Sequence, residues 1–207
     1  MESELEQLFQ EYITIPVVSA LRKKLLKELS AKLKFHSSWH TDDVIREAIR
    51  FGKADNLSEK DLTLLVIAAA FHDAGYIDGP KDHESRSAKL AAEAMGKSGY
   101  TIEEIKRVTT MILDTKVTET SKGLIQNPTS ELSKYLLDAD LSNFGREDFF
   151  SRLEDNIAES GDNRETVLTR TLVFLENHIW LTEGARRFRE QKQKENAAQL
   201  KAILVKS

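Results

Sequence analysis

An almost uninterrupted apolar segment, Leu62 to Phe71, most strongly limits what this chain can fold into, and it runs directly into His72 and Asp73. A segment of this composition is predicted to be buried. A neutral imidazole and a carboxylate at its end are costly unless a partner satisfies them. The pair is therefore either a core histidine near a helix end, with Asp73 capping or solvated, or part of a metal site.

Helical periodicity extends through nearly the whole sequence. Apolar residues recur at steps of three and four, and the chain has only 3 prolines and 9 glycines. No alternating apolar and polar run requires a strand, and the segment 117–129 is the most loop-like. The fold class is predicted to be all-α, with helices at 3–13, 16–34, 39–53, 59–73, 83–98, 102–116, 130–142, 146–160, 164–181 and 184–204.

The charged C-terminal stretch, residues 184–207, is predicted to be a helix separate from a main domain at 1–183. Its apolar stripe is sparse and consists of Phe188, Leu200, Ile203 and Leu204. This pattern favours a solvated helix packed lightly on the domain, and a partner-binding or dimerising helix is the alternative.

Composition excludes several classes of site and of partner. The chain has no cysteine, so disulfides, cysteine nucleophiles and thiolate zinc sites are excluded, and any metal must be held by histidines and carboxylates. The formal charge of −4 gives no electrostatic reason to expect a nucleic-acid polymer or an anionic membrane as partner. No stretch approaches the roughly 20 apolar residues of a membrane span. The early acids of the N-terminus do not resemble a secretory signal, so a cytoplasmic protein is expected.

Histidines and acids cluster at informative positions. His36 and His40 are four residues apart and would face the same way on a helix. Asp138 and Asp140 lie in the apolar segment LLDADL, where a buried carboxylate must find a partner. The spacing favours burial of Asp140, and one of the two acids could instead cap the next helix.

The ordered set His40, His72, Asp73 and Asp140 resembles the H…HD…D signature of the HD-domain superfamily of metal-dependent phosphohydrolases. The local sequences HTDDV, AAAFHDAGY and LLDADLSNFG resemble the small bacterial predicted metal-dependent HD phosphohydrolases in particular. The resemblance covers about residues 33–180. It implies an all-helical HD-domain bundle in which these four residues hold one or two divalent cations, drawn from Mn, Mg, Fe, Co, Ni and Zn.

A second resemblance concerns the proton donor. The segment FHSSWHTDDV is similar to the YHNxxHAxDV segment of class I cyclic-nucleotide phosphodiesterases, which are distant HD relatives. The similarity implies that His36 is the general acid and that His40 is a metal ligand. Ser37 replaces the asparagine of that motif, and HDAGY replaces HDxxHPG, so a cyclic-nucleotide substrate is not implied.

Three further residues are candidates for the site. DHESRSAKLAAEAM resembles an (H/N)E-x-x-SA segment of the same small proteins, which implies that His83 or Glu84 approaches the metal through a water or contacts substrate. Glu84 is the candidate for a catalytic role and His83 the candidate for substrate binding. The alternatives are a first-turn acid favoured by the helix dipole and a solvent-facing histidine. Lys116 is a candidate for holding phosphate oxygens, or else an ordinary surface lysine. His178 is expected in the core or near a helix end rather than in the site.

Together these features predict a metal-dependent phosphohydrolase that cleaves a phosphomonoester or phosphodiester of a small substrate, with nucleotides among the candidates. The alternative is a catalytically weak HD-fold module that binds metal or nucleotide. An oxygen-activating di-iron enzyme would need more histidines than the chain places here, and the ordered motif argues against a plain helical scaffold. No membrane or nucleic-acid polymer is expected as a partner, and a homodimer is compatible with the sequence.

Overall fold

The computed structural model describes residues 2–120 and 123–206. Two 3₁₀ turns lie at Ala74–Asp78 and Ser142–Gly145, and a hairpin of β1 (Thr118–Thr120) and β2 (Gly123–Ile125) follows the sixth helix. The all-α class predicted from the sequence is confirmed. Across the described residues the helices are α1 (Glu2–Tyr12), α2 (Pro16–Glu28), α3 (Ser38–Ala54), α4 (Glu59–Phe71), α5 (His83–Lys97), α6 (Ile102–Asp114), α7 (Glu131–Asp140), α8 (Phe149–Ser160), α9 (Arg164–Asn177) and α10 (Glu183–Lys206).

Side-chain caps explain where several helices begin. Thr101 and Glu104 form a reciprocal capping box at the start of α6. The Ser58 hydroxyl accepts a hydrogen bond from the backbone N–H of Asp61 at the start of α4. These caps satisfy N–H groups that have no partner inside the helix, so the predicted start positions of both helices agree with the structure.

Two helices end at least four residues earlier than the sequence predicts. Helix α2 is predicted to reach residue 34, but Leu29 adopts an extended backbone and the helix ends at Glu28. Helix α9 is predicted to reach residue 181, but His178 is extended and the helix ends at Asn177. Apolar residues continue past both ends, so periodicity alone does not mark either boundary.

The predicted loop at 117–129 contains the short antiparallel hairpin. Thr118 lies opposite Ile125, and Glu119 lies opposite Leu124. Each strand has three residues, too few for an alternating pattern to be recognised in the sequence.

Helix α4 forms the centre of the molecule. Leu62 and every residue from Leu64 to Phe71 are buried, and α2, α3, α5, α6 and α7 all pack against this helix. Burial of one large aliphatic side chain contributes about 1.5–3 kcal/mol, so α4 supplies much of the hydrophobic stabilisation. Its apolar residues surround the whole helix, as expected for a helix enclosed by others.

Within the described residues, no single helix is both long and apolar enough to cross a membrane, and the bent pair Glu59–Asp78 and His83–Lys97 meets that test only when the two are joined.

Helix α10 is packed more closely than its charged sequence predicts. Ala185 and Leu200 are buried, and so are the polar side chains of Gln193 and Asn196. The Asn196 amide donates to the carbonyl oxygen of Phe144 at 2.9 Å. The expectation of a lightly packed, solvated helix is therefore wrong, because much of the contact is made by polar residues that an apolar stripe does not reveal. The division of the chain at residue 184 stays a prediction.

A buried ion pair joins α10 to α3. The Arg189 guanidinium donates to the Glu47 carboxylate, with Nε at 3.0 Å from Oε2. Glu47 is buried, so its charge needs a cation nearby. Arg50 supplies a second contact, with Nε at 3.3 Å from Glu47 Oε1.

We expect Arg189→Met to lower the free energy of unfolding by about 2–4 kcal/mol, because it removes one of two cations from a buried carboxylate. Lys194→Met is the matched control on the same helix, since Lys194 pairs with Glu190 at the surface. Lys194→Met should change the free energy of unfolding by no more than about 0.5 kcal/mol. Urea unfolding followed by circular dichroism measures both. Equal effects for the two variants would contradict the packing role of α10.

Candidate metal centre

The end of α4 places His72 at the edge of the core. The helix ends at Phe71, and His72 is buried. Its Nδ1 donates to the carbonyl oxygen of Ala69 at 2.7 Å. This hydrogen bond fixes the orientation of the ring and turns Nε2 toward the other side chains of the cluster, where it is the nitrogen that could bind a cation.

Gly75 allows the start of α5 to approach this turn. A Cβ atom at Gly75 would collide with the backbone of His83. The backbone N–H of Gly75 donates to the Ser87 hydroxyl at 2.8 Å. The glycine in HDAGY is therefore required for packing α5 against the His72–Asp73 turn.

Three side chains, at the ends of three helices, converge at this point. Ligand atoms of His40, His72 and Asp140 all lie within 4.8 Å of one another. The two imidazole Nε2 atoms are 3.3 Å apart, and His40 Nε2 lies 3.2 Å from Asp140 Oδ1. Two nitrogen atoms that both point to one centre, with a carboxylate beside them, suit a divalent cation.

Asp73 faces the same two histidines from one side. Its Oδ2 lies 3.2 Å from His72 Nε2 and 3.5 Å from His40 Nε2. The structure therefore brings all four predicted ligands to one place, and whether Asp73 binds the ion directly stays a prediction.

The pKa values indicate a site that favours positive charge. Burial alone would lower the pKa of His72, but the Asp73 and Asp140 carboxylates outweigh it and raise that pKa well above its usual value. Burial alone would raise the pKa of Asp140, but hydrogen bonds with His40 and His72 hold it well below its usual range. The carboxylates thus attract a proton onto the His72 imidazole, and a metal ion would take over that charge.

Gln126 orients the Asp140 carboxylate. Its Nε2 donates to Asp140 Oδ2 at 3.2 Å and to the carbonyl oxygen of Thr115 at 2.8 Å. The contact occupies the carboxylate oxygen that faces away from the histidines. Gln126 follows strand β2 directly, so the hairpin brings a supporting residue to the site.

Asp138 has a structural role. Its buried carboxylate accepts hydrogen bonds from the backbone N–H groups of Leu181 at 3.0 Å and Thr182 at 2.8 Å, and from the Thr182 hydroxyl at 2.7 Å. Burial raises the pKa of Asp138 to about 6. Asp138 is thus the more buried of the two acids, and the expectation that favoured Asp140 is wrong. The helix that Asp138 caps is α10, not the next helix along the chain.

His36 lies beside the cluster without joining it. It precedes α3, so the two histidines of FHSSWH are not on one helix as the spacing suggested. His36 Nδ1 donates to the Glu159 carboxylate, and Glu159 also accepts from the backbone N–H groups of Phe35 at 2.8 Å and His36 at 3.1 Å. Burial alone would raise the pKa of Glu159, but these contacts lower it.

The other nitrogen of His36 faces Tyr76. The Tyr76 hydroxyl donates to His36 Nε2 at 3.1 Å, and the two rings stack with centroids 4.1 Å apart. Burial first, and then nearby carboxylates, raise the pKa of Tyr76, so the hydroxyl keeps its proton. The centroids of the His36 and His40 rings are 6.1 Å apart, so His36 borders the cluster.

His83 and Glu84 lie at the start of α5, close to Asp73. His83 Nε2 is 3.4 Å from Asp73 Oδ1, and His83 Nδ1 is 3.7 Å from the Glu84 carboxylate. Burial alone would lower the pKa of His83, but the Asp73 carboxylate raises it. The predicted roles of both residues stay predictions.

Lys116 and His178 make none of these contacts. Lys116 is exposed just after α6, and its predicted role in holding phosphate stays a prediction. His178 packs edge-on against Trp180, with ring centroids 4.5 Å apart. Burial lowers the pKa of His178 to about 4, which fits the expected place outside the site.

Three supporting residues are not identified by the sequence pattern: Glu159, Tyr76 and Gln126. Glu159 has a weak signal, because an acid in the last turn of a helix is unfavourable to the helix dipole and needs another reason to be there. Tyr76 belongs to the quoted HDAGY segment but has no predicted role. Gln126 comes from the hairpin that the sequence does not reveal.

Comparison with known proteins identifies a similar fold. The structure is similar to the crystal structure of a predicted HD superfamily hydrolase from an uncultured Thermotogales bacterium, with a TM-score of 0.61 and 20% sequence identity. The match covers 90% of this chain and 89% of that chain. No protein-family model matches the sequence, and no curated protein matches it.

Replacement of the two aspartates of α7 should separate folding from the site. Asp138→Ala should lower the free energy of unfolding by about 2–4 kcal/mol, because buried donors at Leu181 and Thr182 lose their acceptor. Asp140→Ala should change metal-free stability less and should weaken Mn²⁺ or Zn²⁺ binding. Urea unfolding and metal titration calorimetry measure the two effects. If Asp138→Ala instead weakened metal binding and Asp140→Ala lowered the free energy of unfolding more, the two roles would be wrongly assigned.

Proposed function

The chain has the HD-domain fold, and on this premise we propose that it is a metal-dependent phosphohydrolase. Its substrate is a small phosphomonoester or phosphodiester, with nucleotides among the candidates. The observation that carries the proposal is the convergence of His40, His72 and Asp140 within 4.8 Å, with Asp73 beside them.

The donor set fits one divalent cation, which His40, His72, Asp73 and Asp140 would hold. Two imidazoles and two carboxylates leave coordination positions open for water and substrate. A divalent cation in such a site lowers the pKa of water and withdraws charge from a phosphoryl oxygen. With no cysteine in the chain, the donors do not single out one metal among Mn, Mg, Fe, Co, Ni and Zn.

His36 is proposed as the proton donor to the leaving oxygen. Its Nδ1 is held by Glu159, which leaves Nε2 as the nitrogen that exchanges a proton with substrate. Glu159 stabilises the protonated ring and fixes its direction, as a carboxylate does for a catalytic histidine. The leaving oxygen would take the position that the Tyr76 hydroxyl holds on Nε2, 3.1 Å away.

The second candidate function is an HD-fold module that binds metal or nucleotide with little turnover. One observation favours it. The Tyr76 hydroxyl is hydrogen-bonded to His36 Nε2, the nitrogen that is proposed to exchange a proton with substrate. Tyr76 stacks flat on the His36 ring, so release of that nitrogen requires the tyrosine to move. Turnover measurements therefore decide between the two functions.

Metal removal tests the proposed function. Protein purified without chelator should hydrolyse p-nitrophenyl phosphate or bis-p-nitrophenyl phosphate, lose this activity in EDTA and regain it with a divalent cation. Asp73→Ala should lose metal and activity together, whereas Asp78→Ala, an exposed acid of the following turn, should keep both. Metal content is measured by elemental analysis. Activity that survives complete metal removal would contradict the proposal, and metal binding without turnover would favour the binding module.

Substitution of His36 tests the proton donor. His36→Ala should keep the metal content and lower kcat by about 10²–10⁴, the usual contribution of a general acid. The loss should be smaller for p-nitrophenyl phosphate than for an alkyl phosphate, because nitrophenolate leaves without protonation.

Glu159→Gln should show the same dependence on the leaving group with a smaller loss, because the imidazole is retained but its carboxylate partner is not. Glu154→Gln is the matched control, since Glu154 is an exposed acid of the same helix that pairs with Arg164 at the surface. An equal loss on both substrates, or loss of metal from the His36 variant, would assign His36 another role.

A further inference from the structure

A cleft opens directly beside the candidate metal centre. It is enclosed by α8, α9, the 3₁₀ turn after α7 and the strand β2. His36 and Asp140 form part of its wall, so a phosphoryl group at the centre would continue into it. The cleft encloses about 230 Å³, below the ~300–1,000 Å³ of pockets for drug-sized ligands. It therefore suits one small group and not a polymer.

One face of α8 connects the centre to this cleft. Arg152, Asn156 and Glu159 follow one another at steps of four and three residues, so they share a face of the helix. Glu159 holds His36, while Arg152 and Asn156 line the cleft. A group bound along this face would therefore lie next to the proton donor.

The apolar walls of the cleft are aromatic. Four phenylalanine rings line it, from Phe35, Phe144, Phe149 and Phe174. The Phe144 ring packs edge-on against Phe174, with centroids 5.2 Å apart, and against Phe149 at 6.3 Å. Such walls favour a flat or apolar group between them.

Three amide side chains add unused hydrogen-bonding capacity to the same cleft. Among residues 2–120 and 123–206, the side chains of Asn143 and Asn156 make no hydrogen bond, and the buried Oε1 of Gln126 has no partner. A buried acceptor without a partner costs about 1–3 kcal/mol. Amides present donors and acceptors in one plane, which is the arrangement that reads the edge of a nucleobase.

The two arginines of the cleft are already paired. Arg152 donates to Asp148 at 3.3 Å and to Asp155 at 3.1 Å, and Arg170 donates to Asp162 at 3.1 Å. Because carboxylates neutralise both cations, the cleft presents mainly neutral polar groups to a ligand, namely the Asn143 and Asn156 amides and the Thr171 hydroxyl. This favours an uncharged polar ring over a second phosphate.

We propose that this cleft binds the base of a nucleoside monophosphate, and that Asn156 and Asn143 determine specificity by hydrogen bonding to the edge of the base. The phenylalanine rings enclose its faces, as aromatic side chains do for bases held out of a stack. The inference rests on the proposed function, because the phosphate would sit at the candidate metal centre. Beyond that function, the cleft would recognise the base.

The test compares nucleotides with a substrate that lacks only the base. The metal-loaded protein is assayed with the four common nucleoside 5′-monophosphates and with ribose 5-phosphate. Asn156→Leu should lower the ratio of kcat/KM for the preferred nucleotide over ribose 5-phosphate by about 10- to 100-fold, the range expected for a lost contact to a base edge. Asn143→Leu should also lower this ratio. Asn177→Leu, an exposed amide at the end of α9, is the matched control.

Calorimetric titration of the same nucleotides separates this proposal from the proposed function. Nucleotide binding that depends on Asn156 but is not followed by hydrolysis would support the cleft and overturn the phosphohydrolase. Hydrolysis of nucleotides and ribose 5-phosphate with equal kcat/KM would overturn the cleft and support the phosphohydrolase. A loss in Asn156→Leu that is the same for both kinds of substrate would also overturn the proposed role of the cleft.

Discussion

Burial of α4 after its charged first turn, at Leu62 and from Leu64 to Phe71, is the constraint from which the rest of the structure follows. Because this part of the helix is apolar on nearly every side, other helices must surround it, and α3 and α7 are among those that do. The apolar segment stops at Phe71, so the next residue, His72, emerges at the edge of the core. The first turn of α3 and the last residue of α7 reach the same edge, and they carry His40 and Asp140. The candidate metal centre therefore lies where the packing of the core brings three helix ends together.

Helix α7 links this centre to the C-terminal helix. Asp138 and Asp140 are two positions apart, yet one carboxylate turns toward α10 and the other toward the histidines. Asp138 accepts hydrogen bonds from the backbone N–H groups of Leu181 and Thr182, and these bonds hold the start of α10 against α7. Helix α10 supplies none of the predicted site residues, but Asp138 joins its start to the helix that carries Asp140. One turn of α7 therefore carries a structural carboxylate and a site carboxylate side by side.

Helix α8 plays the corresponding part on the other side of the site. Glu159 holds the non-helical segment before α3 in place. Its carboxylate accepts hydrogen bonds from the backbone N–H groups of Phe35 and His36 and from Nδ1 of the His36 ring. The same face of α8 continues through Asn156 into the adjacent cleft. The position of this one helix therefore sets both the direction of the proposed proton donor and one wall of the space beside it. A burial pattern alone would not predict this role, since Glu159 is an ordinary charged residue in the sequence.

The sequence by itself determined the helical class, because apolar residues at steps of three and four require helices whatever their arrangement. It also indicated His40, His72, Asp73 and Asp140, since polar groups at the end of an apolar helix need partners and their order resembles a known motif. Only the tertiary structure decided what Asp138 does, because the backbone N–H groups that it accepts hydrogen bonds from, those of Leu181 and Thr182, lie 43 and 44 residues further along the chain. It alone supplied Glu159, which meets His36 across more than a hundred residues of sequence. Such pairings depend on how helices are oriented in space, and a local pattern carries no record of that orientation.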